Sequence, residues 1–127
     1  MPIPASWSPR LLSLLRIVAG LGFLQHGMSK YFGIPPFPAP LNPLLYTAGA
    51  IELVGGTLMV LGLFTRPVAF VLSGMCAVAY FMVHAPKGFF PAENMGEPAM
   101  LFCFIFLYIA AAGAGPWSVD AIRGKAA

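Results

Sequence analysis

Four apolar stretches, at about 9–30, 43–64, 67–84 and 98–114, divide this chain of 127 residues, and a proline opens each one: Pro9, Pro43, Pro67 and Pro98. Proline is well placed at a first helical position, where its missing N–H would have no partner and its φ is already helical. At 1.5 Å rise per residue, such stretches reach roughly 26–33 Å, enough to cross the hydrocarbon core of a bilayer. Ser8, Asn42 and Thr65 stand where helix N-caps are needed. Only 9% of residues are charged and 59% are hydrophobic, whereas a soluble domain carries roughly 25% charged residues. The expected fold is all-α: an integral membrane protein with a four-transmembrane-helix bundle in a single membrane domain. Its surroundings are the lipid bilayer, and its expected place is the cell inner (plasma) membrane, as a multi-pass protein.

The net charge of +3 is too small for a nucleic-acid surface and reads as a topology signal. Cys76 and Cys103 lie inside apolar runs, without C-x-x-C, zinc or haem-attachment spacing, and read as small apolar fillers. Arg10 before an apolar run imitates a secretory leader. Arg16 interrupts that run and no small-residue cleavage pattern follows, so the first stretch reads as a retained helix. The link at 31–42 holds Pro35, Pro36, Pro38 and Pro40 and cannot be helical, with Tyr31, Phe32 and Phe37 as interfacial anchors. Thr65-Arg66 reads as a tight turn between antiparallel neighbours, and Ser118 as the start of a short helical turn in the tail. Arg10, Arg66, Arg123 and Lys125 fall at one end of the bundle, against Lys30 and Lys87 at the other. That excess predicts that both termini are cytoplasmic.

Six ionisable residues sit in or at the ends of the apolar stretches: Arg16, His26, Lys30, Glu52, His84 and Glu97. A charge in hydrocarbon costs on the order of 3 kcal/mol on insertion scales, so such residues mark functional sites by default. Helical spacing gathers them. Arg16, Gly20, Phe23, Gly27 and Lys30 form one stripe, with His26 on its flank. Ala48, Glu52, Gly55, Met59 and Gly62 form a second, and Ser73, Cys76, Ala77, Tyr80 and His84 a third. The fourth is Glu97, Leu101, Phe104, Tyr108 and Ala111. His26, Lys30, His84, Asn94 and Glu97 then share one end of the bundle, with Glu52 about two turns deeper. Lys30, His26 and His84 are the expected partners of Glu52, and Arg16 is the second choice. Polar residues can also act purely as glue between helices, at about 0.6 kcal/mol per hydrogen bond. Six from four helices, gathered largely at one end, predict a ligand site.

The residue types suit a quinone, whose two ring oxygens need donors such as His, Lys, Arg or Tyr and a carboxylate to move protons. Glu52 is the candidate catalytic group. Arg16, His26, Lys30, Tyr80, His84, Asn94 and Glu97 are candidate ligand-binding residues, with Tyr108 a further donor of the right type. Haem b between His26 and His84 is less expected. His26, His84, Glu52 and Glu97 have metal-ligand chemistry, but no local metal spacing is present, so no metal is assigned.

Several short motifs occur in order: H-G-x-x-K at His26–Lys30, E-L-V-G-G-x-L-x-x-L-G-L-x-T-R-P at Glu52–Pro67, H-x-P-K-G-F-F at His84–Phe90, N-x-G-E at Asn94–Glu97 and G-P-W-S-V-D at Gly115–Asp120. On these the chain resembles the DoxX family over nearly its whole length, apart from a first link unusually rich in proline. The resemblance implies a four-helix membrane protein and a role beside quinone-linked membrane oxidoreductases. Such a subunit is expected to act beside an oxidoreductase partner subunit or as a homo-oligomer; the resemblance carries over no catalytic residue. The alternative is a non-enzymatic scaffold or a small-solute carrier, although the inverted repeat of many carriers is missing.

Overall fold

The computed structural model describes residues 2–124; Lys125, counted in the charge balance above, lies outside them. Within them the elements are helical: α1 (Ser8–Phe32) after a 3-10 turn at Ala5–Trp7, α2 (Pro43–Leu61), α3 (Thr65–Ala79), α4 (Pro91–Asn94), α5 (Glu97–Ala112) and α6 (Val119–Ile122). α3 runs on as a π-helical turn, Tyr80–His84, and a 3-10 turn, Ala85–Lys87. Three stretches are long and apolar enough to cross a membrane: Ala5–Phe32, Pro43–Leu61 and Thr65–Lys87. α5 is apolar too but has 16 residues, about 24 Å of helix.

The helices pair as α1 with α2 and α3 with α5, and the two pairs close on a core of Phe23, Met59, Leu72, Cys76, Phe106 and Ile109. Glycine sets the α1–α2 seam. A Cβ on Gly27 would stand 2.7 Å from the Leu53 backbone nitrogen, and one on Gly56 2.7 Å from that of Leu24. Backbone cannot yield as a side chain can, so these helices approach closely only because both positions lack a side chain. Gly27→Ala is therefore expected to destabilise by about 1–3 kcal/mol, against a propensity gain of roughly 1 kcal/mol. Gly74→Ala on α3, where a Cβ meets nothing within 4 Å, is expected to be neutral or stabilising. Thermal unfolding of both variants in detergent checks the pair.

The tail closes the end of the bundle opposite the 33–42 and 85–96 links. α2 ends at Gly62 (φ 69°), and Phe64 also takes left-handed backbone (φ 53°) before α3 begins. Asp120 holds this turn. Its carboxylate accepts from the N–H of Phe64 (3.0 Å) and of Thr65 (2.9 Å), and its own N–H donates to the Gly62 carbonyl (2.9 Å). A carboxylate distant in sequence thus satisfies the free N–H groups at the start of α3. Thr65 was the expected cap, and it is not: it is the first helical residue of α3, and the N-cap position is Phe64. Ser8 likewise lies inside α1 and makes no cap bond. Asn42 accepts from Leu45 N (2.9 Å), and Ser118 caps α6 through Ala121 N (3.0 Å).

Burial pushes the Asp120 carboxyl up, but the backbone N–H bonds from Thr65 and Phe64, with Arg123 nearby, outweigh it and hold it below the usual carboxylate value. A lowered folded value means that this group stabilises the protein above its unfolded value and that the contribution disappears as pH falls through the folded one. Acid unfolding followed in parallel for Asp120→Asn is expected to show a shallower loss of stability below about pH 4. Matching acid limbs would count against this cap.

The fourth stripe faces the wrong way. Leu101, Phe104 and Tyr108 are 55%, 65% and 59% exposed, and the buried face of α5 carries Phe106 and Ile109 instead. α5 is apolar all round, so no periodicity marks an inner face. The charged Glu97 was the only guide, and a residue at a helix N-terminus is free to face outward.

Candidate functional site

Four helices and one link surround a cavity of about 260 Å³ near the link end of the bundle. α1 supplies Phe23 and His26, α2 Glu52, α3 with its π turn Met75, Cys76, Ala79 and His84, the link Met95, and α5 Pro98, Ala99 and Phe102. Aromatic rings close its inner end: Phe23 packs on Phe102 at 5.5 Å and on Phe106 at 5.0 Å between centroids. A larger groove of about 430 Å³ runs between α2 and α3, but its lining is apolar throughout and offers no reactive group.

Glu52 is the charged group of the cavity wall. It is 6% exposed, and its Oε1 accepts from Lys30 Nζ at 2.7 Å. Lys30 is 8% exposed and also lies beneath the Phe37 ring, 5.3 Å from its centroid. The proline-rich link, expected to anchor at the interface, thus covers the ion pair with an aromatic face. A buried charge needs such partners, because desolvation costs several kcal/mol per ion. Glu52 Oε2 makes no hydrogen bond within the described residues, so this oxygen is left for whatever enters.

Asn94 is outside the cavity lining and organises the residues around His84 and Met95, which belong to it. Fully buried, it donates from Nδ2 to Tyr80 Oη (3.2 Å) and to the Gly88 carbonyl (3.0 Å), and its Oδ1 accepts from Gly96 N–H (2.8 Å). Its backbone carbonyl pairs with His84 Nδ1 at 3.1 Å. A carbonyl only accepts, so Nδ1 carries the hydrogen, and Nε2 is the ring nitrogen left for another partner. The π turn places Tyr80 and His84 on this network; such widened turns recur at functional sites. Asn94 and Tyr80 therefore brace the segment that carries His84, and His84 and the more exposed His26 line the cavity.

Three candidates lie elsewhere. Arg16 is fully buried near the tail end and binds carbonyls, not Glu52: its Nε donates to Met59 O (2.9 Å), and its Nη atoms donate to Ala114 O and to Trp117 O (2.6 Å). Depth separates it from Glu52. Glu97 is exposed at the first position of α5 and does not line the cavity. Its attraction is to the helix dipole, which asks for no burial. Tyr108 faces outward. Met75, Cys76 and Met95 do line the cavity. The spacing of Cys76 on the Glu52-facing side of α3 was legible, whereas nothing in the pattern marked Met95. Among the described residues no three of His, Cys, Asp and Glu converge to hold a metal ion.

These features define a class: a helical membrane protein with several apolar spans and a small apolar chamber, one wall of which carries a lysine-held carboxylate. The chain belongs to the DoxX family, whose model matches residues 11–85. It is 44% identical over 122 residues to an uncharacterized protein of Haemophilus influenzae, covering 90% of this chain and 91% of that one. An uncharacterized membrane protein of Mycobacterium tuberculosis is 30% identical, over 96% of this chain and 91% of its own. A Bacillus subtilis protein named "Putative oxidoreductase CatD" is 36% identical over 87 residues, covering 58% of this chain and 60% of its own. No solved structure matches the chain significantly.

Proposed function

We propose that the protein takes the ring of a quinone or hydroquinone into this cavity and exchanges a proton with it at Glu52, as the membrane subunit of a quinone-linked oxidoreductase. The observation that carries the reading is the asymmetry of Glu52, a residue of the chamber lining: Oε1 is fixed by Lys30, and Oε2 has no bond among the described residues. Oxidation of a hydroquinone releases two protons and two electrons. Glu52 Oε2 accepts a proton from a ring hydroxyl, Lys30 keeps the carboxylate aimed, and His84 Nε2 is free to accept from the second hydroxyl. Phe23 and Phe102 give the ring an aromatic surface. The electrons pass to an oxidoreductase partner subunit. The name of the Bacillus subtilis relative supports an oxidoreductase setting. At about 260 Å³ the chamber lies below the roughly 300–1,000 Å³ of common small-molecule sites. That size suits one or two rings and argues against haem b.

In the same reading α5 is the fourth span, its 16 residues extended by the segment that Arg16 clasps. Both termini are cytoplasmic and the cavity opens toward the outer face of the inner membrane, as the distribution of Lys and Arg favours.

Binding of menadione and duroquinone to the detergent-purified protein tests the reading. Wild-type protein is expected to bind at least one of them. The double variant Lys30→Met/Glu52→Gln, which removes both charges together, is expected to stay folded and lose at least tenfold in affinity. Unchanged binding in that folded variant, or none in the wild type, would overturn the assignment.

A further inference from the structure

We propose that Met95 is the specificity-determining residue of this cavity: its side chain folds over the mouth and selects among rings by their substituents. This rests on the quinone reading and adds to it. Three observations converge on Met95. It lines the cavity, yet it is 75% exposed, so it stands at the rim and not in the packed wall. Its backbone is left-handed (φ 62°), a conformation that glycine takes freely and other residues adopt at a cost. And its neighbours leave that backbone no alternative.

Asn94, on one side, is held by Tyr80, His84, Gly88 and Gly96 through the bonds given above. Gly96, on the other, passes so near Tyr80 that a Cβ there would lie 2.6 Å from the ring and 2.6 Å from Asn94 Oδ1. The backbone at 95 is thereby fixed in place while the side chain stays free. Folding does not require methionine here, since glycine would meet the same geometry without strain. Strained backbone held by over-determined surroundings gathers at ligand sites. The residue kept in that strained place is unbranched, apolar and polarizable. Its thioether suits an aromatic ring, and its three rotatable bonds let it close over one. His26 and Pro98 line the same cavity. A ring bearing bulky groups on its outward edge would meet the Met95 side chain, whereas a ring substituted only on its inner edge would not.

The test separates fold from binding. Met95→Gly, Met95→Leu and wild type are compared in detergent for thermal stability and for affinity toward menadione and duroquinone. Met95→Gly is expected to be at least as stable as wild type, because it relieves the left-handed strain. It is expected to bind menadione roughly tenfold more weakly, for want of the thioether–ring contact, and to narrow the difference between the two quinones. Met95→Leu, of similar bulk, is expected to keep most of both. Wild-type affinity and selectivity in Met95→Gly would overturn the proposal, as would a loss of affinity that merely tracks a loss of stability. Failure of the wild type to bind either quinone would instead remove the quinone reading and this inference together.

Discussion

Glu52→Gln alone is expected to destabilise the protein by about 3–5 kcal/mol, the cost of stranding one partner of a buried ion pair. Lys30 Nζ, 2.7 Å from Oε1 and 8% exposed, would keep its charge with only the Phe37 ring, at 5.3 Å from its centroid, as compensation. Lys30→Met is expected to fall by a similar amount, now with the carboxylate stranded. The double variant is expected to recover most of the loss, because removing a whole buried pair is often neutral or stabilising. Thermal unfolding in detergent of the four proteins completes the cycle and yields the coupling directly. A coupling below about 1 kcal/mol, the range of exposed pairs, would mean that the pair is solvated and not buried. Recovery of stability without recovery of ligand binding would assign the pair to function, since glue alone is replaceable by apolar packing.

Arg16→Met is expected to cost about 3–5 kcal/mol and to loosen the segment from Ala114 to Ser118. Its guanidinium is fully buried and, among the described residues, faces no carboxylate within hydrogen-bond reach. What it binds are the carbonyls of Met59 and, at 3.5 Å, Val60 in the last turn of α2, with those of Ala114 and Trp117 in the tail. Carbonyls at a helix C-terminus lack intrahelical partners and carry the negative end of the dipole, so they favour a cation. Met59 O keeps the Gly62 N–H (3.2 Å) and Ala114 O keeps the Ser13 hydroxyl (3.2 Å), so the loss falls on the Val60 and Trp117 carbonyls, at roughly 1–3 kcal/mol for each one left bare when buried. Lysine cannot replace the fork, because a single ammonium presents no planar set of five donors. Arg16→Lys is therefore expected to recover less than half of the loss. Unfolding temperature together with protease cleavage near Trp117 reads both effects. Wild-type protection of the tail in Arg16→Met would disprove the clasp.

The two predictions concern opposite ends of one stripe, and that contrast shows what sequence could and could not reveal. The spacing from Arg16 through Gly20, Phe23 and Gly27 to Lys30 put all five on one face of α1, and all five are buried. That follows from helical period alone. Spacing also put Glu52 and Gly55 on the inner face of α2. On α5 the same reasoning chose the wrong face, because a helix that is apolar all round carries no periodic signal. Which cation pairs with Glu52 was open between Lys30 and Arg16. Depth decided it, and depth depends on how far α1 and α2 are offset along their glycine seam.

Sequence by itself determined the apolar spans, the proline in the first turn of each, and the burial of charge in a chain with little charge to place. These are local matters of composition, period and backbone chemistry. Only the tertiary structure decided that Asp120 caps α3, that Arg16 serves the tail and not Glu52, that Phe37 covers Lys30, and that Met95 stands over the cavity. Asp120 and Arg16 join residues far apart in the chain, Phe37 reaches Lys30 across the proline-rich link, and Met95 hangs on a φ angle set by neighbours. Such contacts arise from how helices dock, and docking between nearly uniform apolar surfaces leaves no mark in the order of residues.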